Sequence, residues 1–366
     1  MKVECIKEKI KDAVALAEKI TGKNLSLPVL SSILLLAKDK TLKIRATNLD
    51  LGIEIEIPAK VGKEGVVAVP GGILNNFLSN IQEKTVTLTM DNDNIIAEAR
   101  NARAVIKSLP YEDFPTLPTI AQKKESFEIS AGKIVSGLRS VWYSAATGDI
   151  KPEIASVFVA SDAGDIVFVA TDSFRLAEKK IDFIASKTIS PLIIPLRNIA
   201  DIIRVFDTVS GDVLVSFNAS QISFEYEGLY LTSRLIDGIF PDYKQIMPKG
   251  FLTEAVVLKQ DLANALKSMN VFSGKFNQVT ISAHPANKKL EFRSKSPDVG
   301  ESSITLDAAL RGEAITLHFN HKYIFDCLQS IPKDSVSLHF NGESKPMIMQ
   351  GVGDKSFTYL VMPLNQ

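Results

Sequence analysis

The sequence predicts an α+β protein made of three like domains, each with two helices packed on antiparallel sheets. Three observations predict it. A strand, a proline or polar residue, a helix, a turn and a second strand follow one another at Ile193-Ile194-Pro195, and the same order recurs at Val69-Pro70 and at Phe319-Asn320. Subtracting positions, 195 − 70 and 320 − 195 both give 125. A second amphipathic helix pattern precedes each copy, and register kept across a whole chain is a sign of internal repetition. Finally, 366 residues exceed one comfortable core, whereas three domains of about 120 match the usual size. Short-period solenoids repeat every 20–50 residues or so, so this spacing means triplicated domains.

Domain one (residues 1–121) opens with a helix whose buried face is Ile10, Ala13, Val14 and Ala17. Strands are expected at 33–36, 42–47 and 52–57, the last two alternating with period two, and Lys38-Asp39-Lys40 suits a hairpin turn. The second helix presents Ile73, Leu74, Phe77, Leu78 and Ile81, followed by a strand over 84–90 and the closing string Leu109-Pro110-Tyr111-Glu112-Asp113-Phe114-Pro115. Domain two (122–250) repeats this with Ile134, Val135, Leu138, Val141 and Trp142 on its first helix, then strands at 155–159, 166–171 and 175–181. Its second helix spans 196–209, with Ile199, Ile202, Ile203 and Phe206 on one face and Pro195 near the first turn, where a missing N–H removes no helical bond. A strand over 213–217 and Ile239-Phe240-Pro241-Asp242-Tyr243 complete it. Domain three (251–366) offers Leu262, Leu266 and Met269, strands at 279–283, 290–294 and 302–306, a helix bearing Tyr323, Ile324, Phe325, Leu328 and Ile331, and a strand over 335–340. Each unit therefore reads helix, three strands, helix, three more strands.

Hydrophobic content of 45% and charge of 23% describe an ordinary globular protein. Cys5 and Cys327 form no CxxC, so neither a disulfide framework nor zinc is indicated. The N-terminus is charged where a signal peptide is apolar, and the most apolar window, 27–37, is interrupted by Pro28, Ser31 and Ser32, so a cytoplasmic protein is expected. Net charge is zero, 42 basic against 42 acidic residues, which argues against nucleic acid unless basic groups are segregated on one face. The outward helix faces suggest that segregation: Lys11 and Lys19, then Asn75, Asn76 and Asn80, then Arg139, Arg197, Arg204, Lys267 and Lys322. Acidic Asp12, Glu18, Asp201 and Asp326 share those faces. For one helix a solvated face is the better reading; six such helices raise a shared concave surface.

Enzyme motifs fail. Four Gly-Lys pairs, at Gly22, Gly62, Gly132 and Gly274, have Ala17, Ile57, Phe127 and Met269 where a P-loop needs its earlier glycine. Gly351-Val352-Gly353 lacks a third glycine and reads as a hairpin turn, and there is no Gly-x-Ser-x-Gly elbow. His318 and His321 straddle a strand-to-helix junction and point apart, so ordinary surface and capping roles are favoured over a metal. Thr171-Asp172 reads as a turn cap rather than a catalytic pair. No cofactor, metal or catalytic residue is expected.

The strings Thr171-Asp172-Ser173-Phe174-Arg175-Leu176-Ala177, Asp237-Gly238-Ile239-Phe240-Pro241-Asp242-Tyr243 and Tyr359-Leu360-Val361-Met362-Pro363-Leu364 resemble those of the bacterial beta sliding clamp family, the processivity subunit of DNA polymerase III. Leu27-Pro28-Val29-Leu30-Ser31-Ser32-Ile33-Leu34 and Thr47-Asn48-Leu49-Asp50 look like that family too, and the match runs the length of the chain. The resemblance implies a head-to-tail homodimer whose six domains close a ring (the DNA clamp fold), with twelve helices lining a hole for duplex DNA. It implies a non-catalytic protein that tethers polymerase, binds DNA without reading its sequence, and also engages clamp-loader subunits through a short apolar peptide motif.

By matching position, the peptide site comprises Ile154, Thr171, Ser173, Phe174, Arg175, Leu176, Pro241, Ile246, Val361, Met362, Pro363 and Leu364. Phe174 and Leu176 are expected to be exposed there. The subunit contact pairs Ala104 and Ile106 with Val271, Phe272 and Phe276, and the DNA-facing set is Lys11, Lys19, Lys23, Arg139, Arg197, Arg204, Lys267 and Lys322. The chain departs from the family's Gly-His at Ser173-Phe174, from its arginine at Gln245, from its aromatic at Ala104, from its basic tail at Asn365-Gln366, and from two of its DNA-face arginines at Gly72 and Ser79. Two other readings stand beside this one: a duplicate clamp that shields a cell from clamp-directed antibiotics, and an enzyme or ligand carrier on a repeated α+β domain.

Overall fold

The computed structural model describes residues 1–22, 26–92, 94–120, 125–148, 150–183, 188–248 and 250–364. The first repeat runs β1 (Lys2–Ile6), α1 (Lys7–Ile20), β2 (Ile33–Lys38), β3 (Thr41–Thr47), β4 (Leu51–Lys63), β5 (Gly65–Val69), α2 (Gly71–Asn80), β6 (Thr85–Asp91), β7 (Asn94–Ala99) and β8 (Ala102–Lys107). The second runs β9 (Glu125–Ser130), α3 (Ala131–Val141), β10 (Ser156–Asp162), β11 (Asp165–Thr171), β12 (Arg175–Asp182), β13 (Leu192–Pro195), α4 (Leu196–Phe206), β14 (Asp212–Phe217), β15 (Gln221–Tyr226) and β16 (Leu229–Arg234). The third runs β17 (Thr253–Leu258), α5 (Lys259–Asn270), β18 (Gln278–His284), β19 (Lys289–Ser296), β20 (Gly300–Asp307), β21 (Ala309–Gly312), β22 (Ile315–Asn320), α6 (His321–Cys327), β23 (Ser335–Phe340), β24 (Met347–Gly351) and β25 (Phe357–Val361). The paired helices, the antiparallel sheets and the three strands after each second helix are those the sequence predicts, but among the described residues four, four and five strands rather than three separate the helices of the successive repeats. Each repeat also carries a strand before its first helix: β1 is only five residues long and enters α1 directly, so no turn residue marks it in the sequence.

The chain forms two compact units, Met1–Gly132 with Ala200–Leu235, and Lys133–Ile199 with Ile236–Gln366. The middle repeat is thus shared between them. In the first unit one sheet runs β8-β7-β6-β1-β4-β16-β15-β14-β9, with β2, β3 and β5 attached beside β4. The second unit holds a sheet ordered β13-β10-β11-β12-β25-β24-β23-β17-β21 and a four-stranded one ordered β20-β19-β18-β22.

The helices bury the expected stripes with local exceptions. Ile10, Ala13, Val14 and Ala17 of α1 are buried, as are Ile199, Ile202, Ile203 and Phe206 of α4. Ile73 is not: it is 55% exposed, because α2 buries the narrower stripe of Gly71, Leu74 and Leu78. Pro195 closes β13 opposite Ser156 instead of entering the helix, and α4 stops at Phe206, short of Val209. Gly137 lets α3 lie directly on Phe168, whose ring would be 2.4 Å from any added Cβ. The hairpin turns at Asp39-Lys40 and Ala163-Gly164 have positive φ at both central residues, matching the right-handed twist of their strands. Among the described residues no helix is long and apolar enough to cross a membrane.

Candidate functional site

The second unit carries a turn, residues 171–175, that repeats bond for bond in the first unit at 47–51. Thr171 Oγ1 donates to Arg175 O (2.7 Å), the Ser173 N–H donates to Thr171 Oγ1 (3.1 Å), and Asp172 Oδ1 accepts the N–H groups of Phe174 and Arg175, both at 2.9 Å. In the first unit Thr47 Oγ1 donates to Leu51 O (2.9 Å), the Leu49 N–H to Thr47 Oγ1 (3.0 Å), and Asn48 Oδ1 accepts from Asp50 (3.0 Å) and Leu51 (2.8 Å). Ser173 and Leu49 hold φ of 77° and 79°. Asp172 is therefore a turn cap, as its position after a strand suggests. Each turn also receives the last strand of the following repeat. β25 pairs with β12 (Arg175↔Val361) and β16 with β4 (Leu51↔Ser233), and the next N–H crosses to the turn: Met362 to Phe174 O at 2.8 Å, Arg234 to Asp50 O at 2.9 Å.

What fills these two junctions differs. In the first, Leu117 occupies the space over Gly52, where an added Cβ would lie 2.5 Å from Leu117 Cδ2 and 3.5 Å from Thr232 Cγ2. In the second, Leu176 takes the place of Gly52 and joins Val169, Ile193, Phe240, Tyr243 and Leu360 in one apolar cluster, with Phe158, Ile236, Met247 and Met362 packed on it half-buried. Phe158 and Phe240 stack with ring centroids 4.8 Å apart. Tyr243 donates to Glu178 Oε2 at 2.7 Å; burial, then this bond to a carboxylate, pushes its phenol well above the ordinary range.

The cluster brings three of the predicted segments together, the turn with Leu176, the string at 239–246, and the C-terminal segment. Leu176 and Val361 are wholly buried, which corrects the expectation that Leu176 is exposed. It lies on the inward face of β12, one residue past the turn. Exposed at this place are Phe174 (61%), Ser173, Pro241, Ile246 (52%) and Ile239 (90%), while Met362, Pro363 and Leu364 are half-buried. Ile154 and Thr171 are both buried, and the Ala146 N–H is shared between their carbonyls at 3.0 and 3.2 Å. Gln245 is engaged by Asp242 Oδ2 at 2.8 Å. Residues the sequence reading missed here are Phe158, Phe240, Tyr243 and Met247, although Phe240 and Tyr243 stand within a string it singled out.

Arg175 faces away from this surface. Its Nε meets Asp172 Oδ2 at 2.9 Å, its Nη1 meets Asp326 Oδ2 at 2.8 Å, and the guanidinium lies 4.3 Å from the Tyr323 ring centroid and 6.0 Å from that of Tyr143. Burial opposes the charge, but Tyr359, Asp326 and Asp172 outweigh it and raise the guanidinium above its already high value.

The basic residues of the helices are arranged as follows. Lys11 pairs with Glu8 (2.6 Å) and Arg204 with Asp201 (2.5 Å), while Lys19 lies 3.8 Å from Glu18. Arg139, Arg197, Lys267 and Lys322 are exposed, Lys267 also lying 5.9 Å from the Phe325 ring centroid. Arg197 borders a cleft of about 470 Å³ together with Thr147, Gly148, Pro195 and Ile236. Lys23 falls outside the described residues. Of the residues assigned to the subunit contact, Val271 (63%) and Phe276 (80%) are exposed, and Phe272 and Ala104 half-buried. Ile106 is 3% exposed because it faces its own core, and its β8 neighbour Val105 (55%) faces out instead.

His318 pairs with Thr280 Oγ1 at 2.9 Å and His321 with Ser273 Oγ at 3.0 Å. Among the described residues no three His, Cys, Asp or Glu side chains converge as a metal site.

Comparison with known proteins finds matches to the chain along its length. Residues 1–118, 128–242 and 244–365 match the sequence models of the N-terminal, central and C-terminal domains of the DNA polymerase III beta subunit. The chain is 26% identical over 372 residues to a beta sliding clamp of Synechococcus elongatus and 27% over 388 to one of Synechocystis, covering all of this chain and 99% of each relative. Its fold is similar to the crystal structure of the DNA polymerase III beta subunit of Thermotoga maritima (TM-score 0.94, 24% identity, 100% and 99% of the two chains). That of the Bacillus subtilis sliding clamp is close as well (TM-score 0.93, 22% identity, 100% and 99%).

Proposed function

Since this chain belongs to the family of DNA polymerase III beta subunits, the bacterial sliding clamps, we infer that it closes with a second copy into a ring around duplex DNA and tethers the replicative polymerase there. The family is a non-catalytic subunit, which removes the alternative of an enzyme. The observation that carries the ring is the repeated junction. In repeats one and two the third strand between the helices, β4 or β12, receives the last strand of the next repeat. Among the described residues, the corresponding strand of repeat three, β20, has β19 as its one neighbour, and the remaining last strand, β8, ends its own sheet beside β7. Two such vacant edges satisfy one another between two copies, head to tail, and the contact closes after one rotation. Exposed Val105, Val271 and Phe276 supply apolar area for it.

Tethering by a ring needs no tight grip, so a lining whose lysines and arginines partly pair with acids suits it. Phosphate contacts of this kind hold without reading sequence. Polymerase and clamp-loader subunits dock an apolar peptide over Phe174, Ile246, Pro241 and Met362, a half-open patch with few polar anchors, as peptide sites tend to be. The setting is the cytoplasm, with the replicating DNA. The test is retention on circular and linear duplex of equal length: a ring stays on the circle and runs off the ends, and equal retention on both would refute it.

A further inference from the structure

Arg175 sits in the stretch assigned to peptide contact, yet its side chain is only 12% exposed and its guanidinium is engaged by two carboxylates and an aromatic ring. Asp172 holds it on the turn side and Asp326 on the α6 side. Tyr323, also on α6, lies beneath it at 4.3 Å. α6 in turn is bonded to the tail: Tyr359 donates its hydroxyl to Tyr323 O at 2.8 Å, and the Leu364 N–H donates to His318 O just before the helix, also at 2.8 Å. The groove has one wall on the turn, at Phe174, and the other on the tail, at Met362. Past the end of the β12–β25 ladder at Arg175↔Val361, the Met362 N–H to Phe174 O bond joins them, and Arg175 is the charged tie behind it.

We propose that Arg175 is a positioning residue for partner binding: it fastens α6 to the turn and so sets the separation of the two groove walls, without touching the peptide. This rests on the groove reading given above. Arginine suits the task because one planar group bridges two carboxylates and stacks on a ring at once, which a lysine cannot do.

The test uses the full chain and a fluorescein-labelled synthetic decapeptide ending in Leu-Phe, read by anisotropy. Arg175→Met is expected to weaken binding at least tenfold. Asp326→Asn, a change at a 40% exposed side chain, should weaken it by a comparable factor. The double variant should be no weaker than Arg175→Met alone, and Arg175→Lys should not restore affinity. Trp142, the chain's single tryptophan, precedes Tyr143, whose ring centroid lies 6.0 Å from the Arg175 guanidinium, and its emission is the readout taken without peptide. Its emission should shift in both single variants and stay unchanged in Phe174→Glu, which removes a groove wall. If Asp326→Asn binds like the parent while Arg175→Met does not, Arg175 contacts the peptide directly and the proposal is overturned. Unchanged binding in Arg175→Met overturns it too. If Phe174→Glu keeps full affinity while the Trp142 shifts occur as stated, the groove is misplaced and the tie between turn and helix stands.

Discussion

Deleting residues 362–366 separates a docking tail from a piece of core. The ladder of β25 on β12 survives, since its last pair is Arg175↔Val361. Two backbone bonds are lost, Met362 N–H to Phe174 O and Leu364 N–H to His318 O, each 2.8 Å long. At about 1 kcal/mol net per bond they sum to about 2 kcal/mol. Met362 packs half-buried on the cluster around Leu176 and Tyr243, and half of a full methionine burial is about 1 kcal/mol. The total, about 3 kcal/mol, lowers the melting temperature by roughly 5–10 °C and leaves the protein folded at 25 °C. Binding of an apolar peptide should fall below detection, because one groove wall is gone. Calorimetry and anisotropy on the same sample check both halves. A truncated chain that is unfolded at 25 °C would make the tail core, and one that binds peptide at full affinity would put the groove elsewhere.

Phe276→Arg and Val105→Arg, both at exposed sites, should each convert a dimer into folded monomer in sedimentation velocity, and an unchanged dimer would move the contact off these edges. Arg197→Ala with Arg204→Ala should weaken duplex binding equally for all sequences and reduce the salt slope by roughly one unit per lost contact; loss confined to one sequence would contradict a sliding surface. Burial, then the nearby Glu4 charge, pushes the Cys5 thiol up to about 12 from an ordinary 9.0. The folded state thus holds that proton more tightly than the unfolded chain. Its contribution is complete below pH 9 and is lost as the pH rises toward 12, so native protein should resist iodoacetamide at pH 8 and melt lower at pH 10.5 than Cys5→Ala relative to their own values at pH 8.

The repeated helices were readable because each carries a continuous apolar stripe ending at a turn, as Ile199, Ile202, Ile203 and Phe206 do. β1, β9 and β17 were not, since each runs without a breaker into a helix and five or six residues give too few alternations. Ile73 shows the limit of periodicity: the pattern says which side of a helix is apolar, while the surface beneath decides how wide a stripe is covered. At the groove, the strings of residues were legible but not their depth. Leu176 and Phe174 are two apart, and the turn over 171–175, with Ser173 at positive φ, leaves the second outside β12 and exposed while the first is interior to the strand. The engagement of Arg175 by Asp326, 151 positions away, has no trace in local sequence.

Leu117 over Gly52 also bears on how partners share the protein. The two junctions are built on one plan, in a turn and a received strand alike. A leucine from the chain itself occupies the first, in the space left by a missing side chain, and Leu176 with its aromatic neighbours prepares the second. On the docking proposed above, each copy has one seat. Under that proposal, proteins that use the seat exclude one another on one copy, and two of them act on the same DNA at once only by taking one copy each.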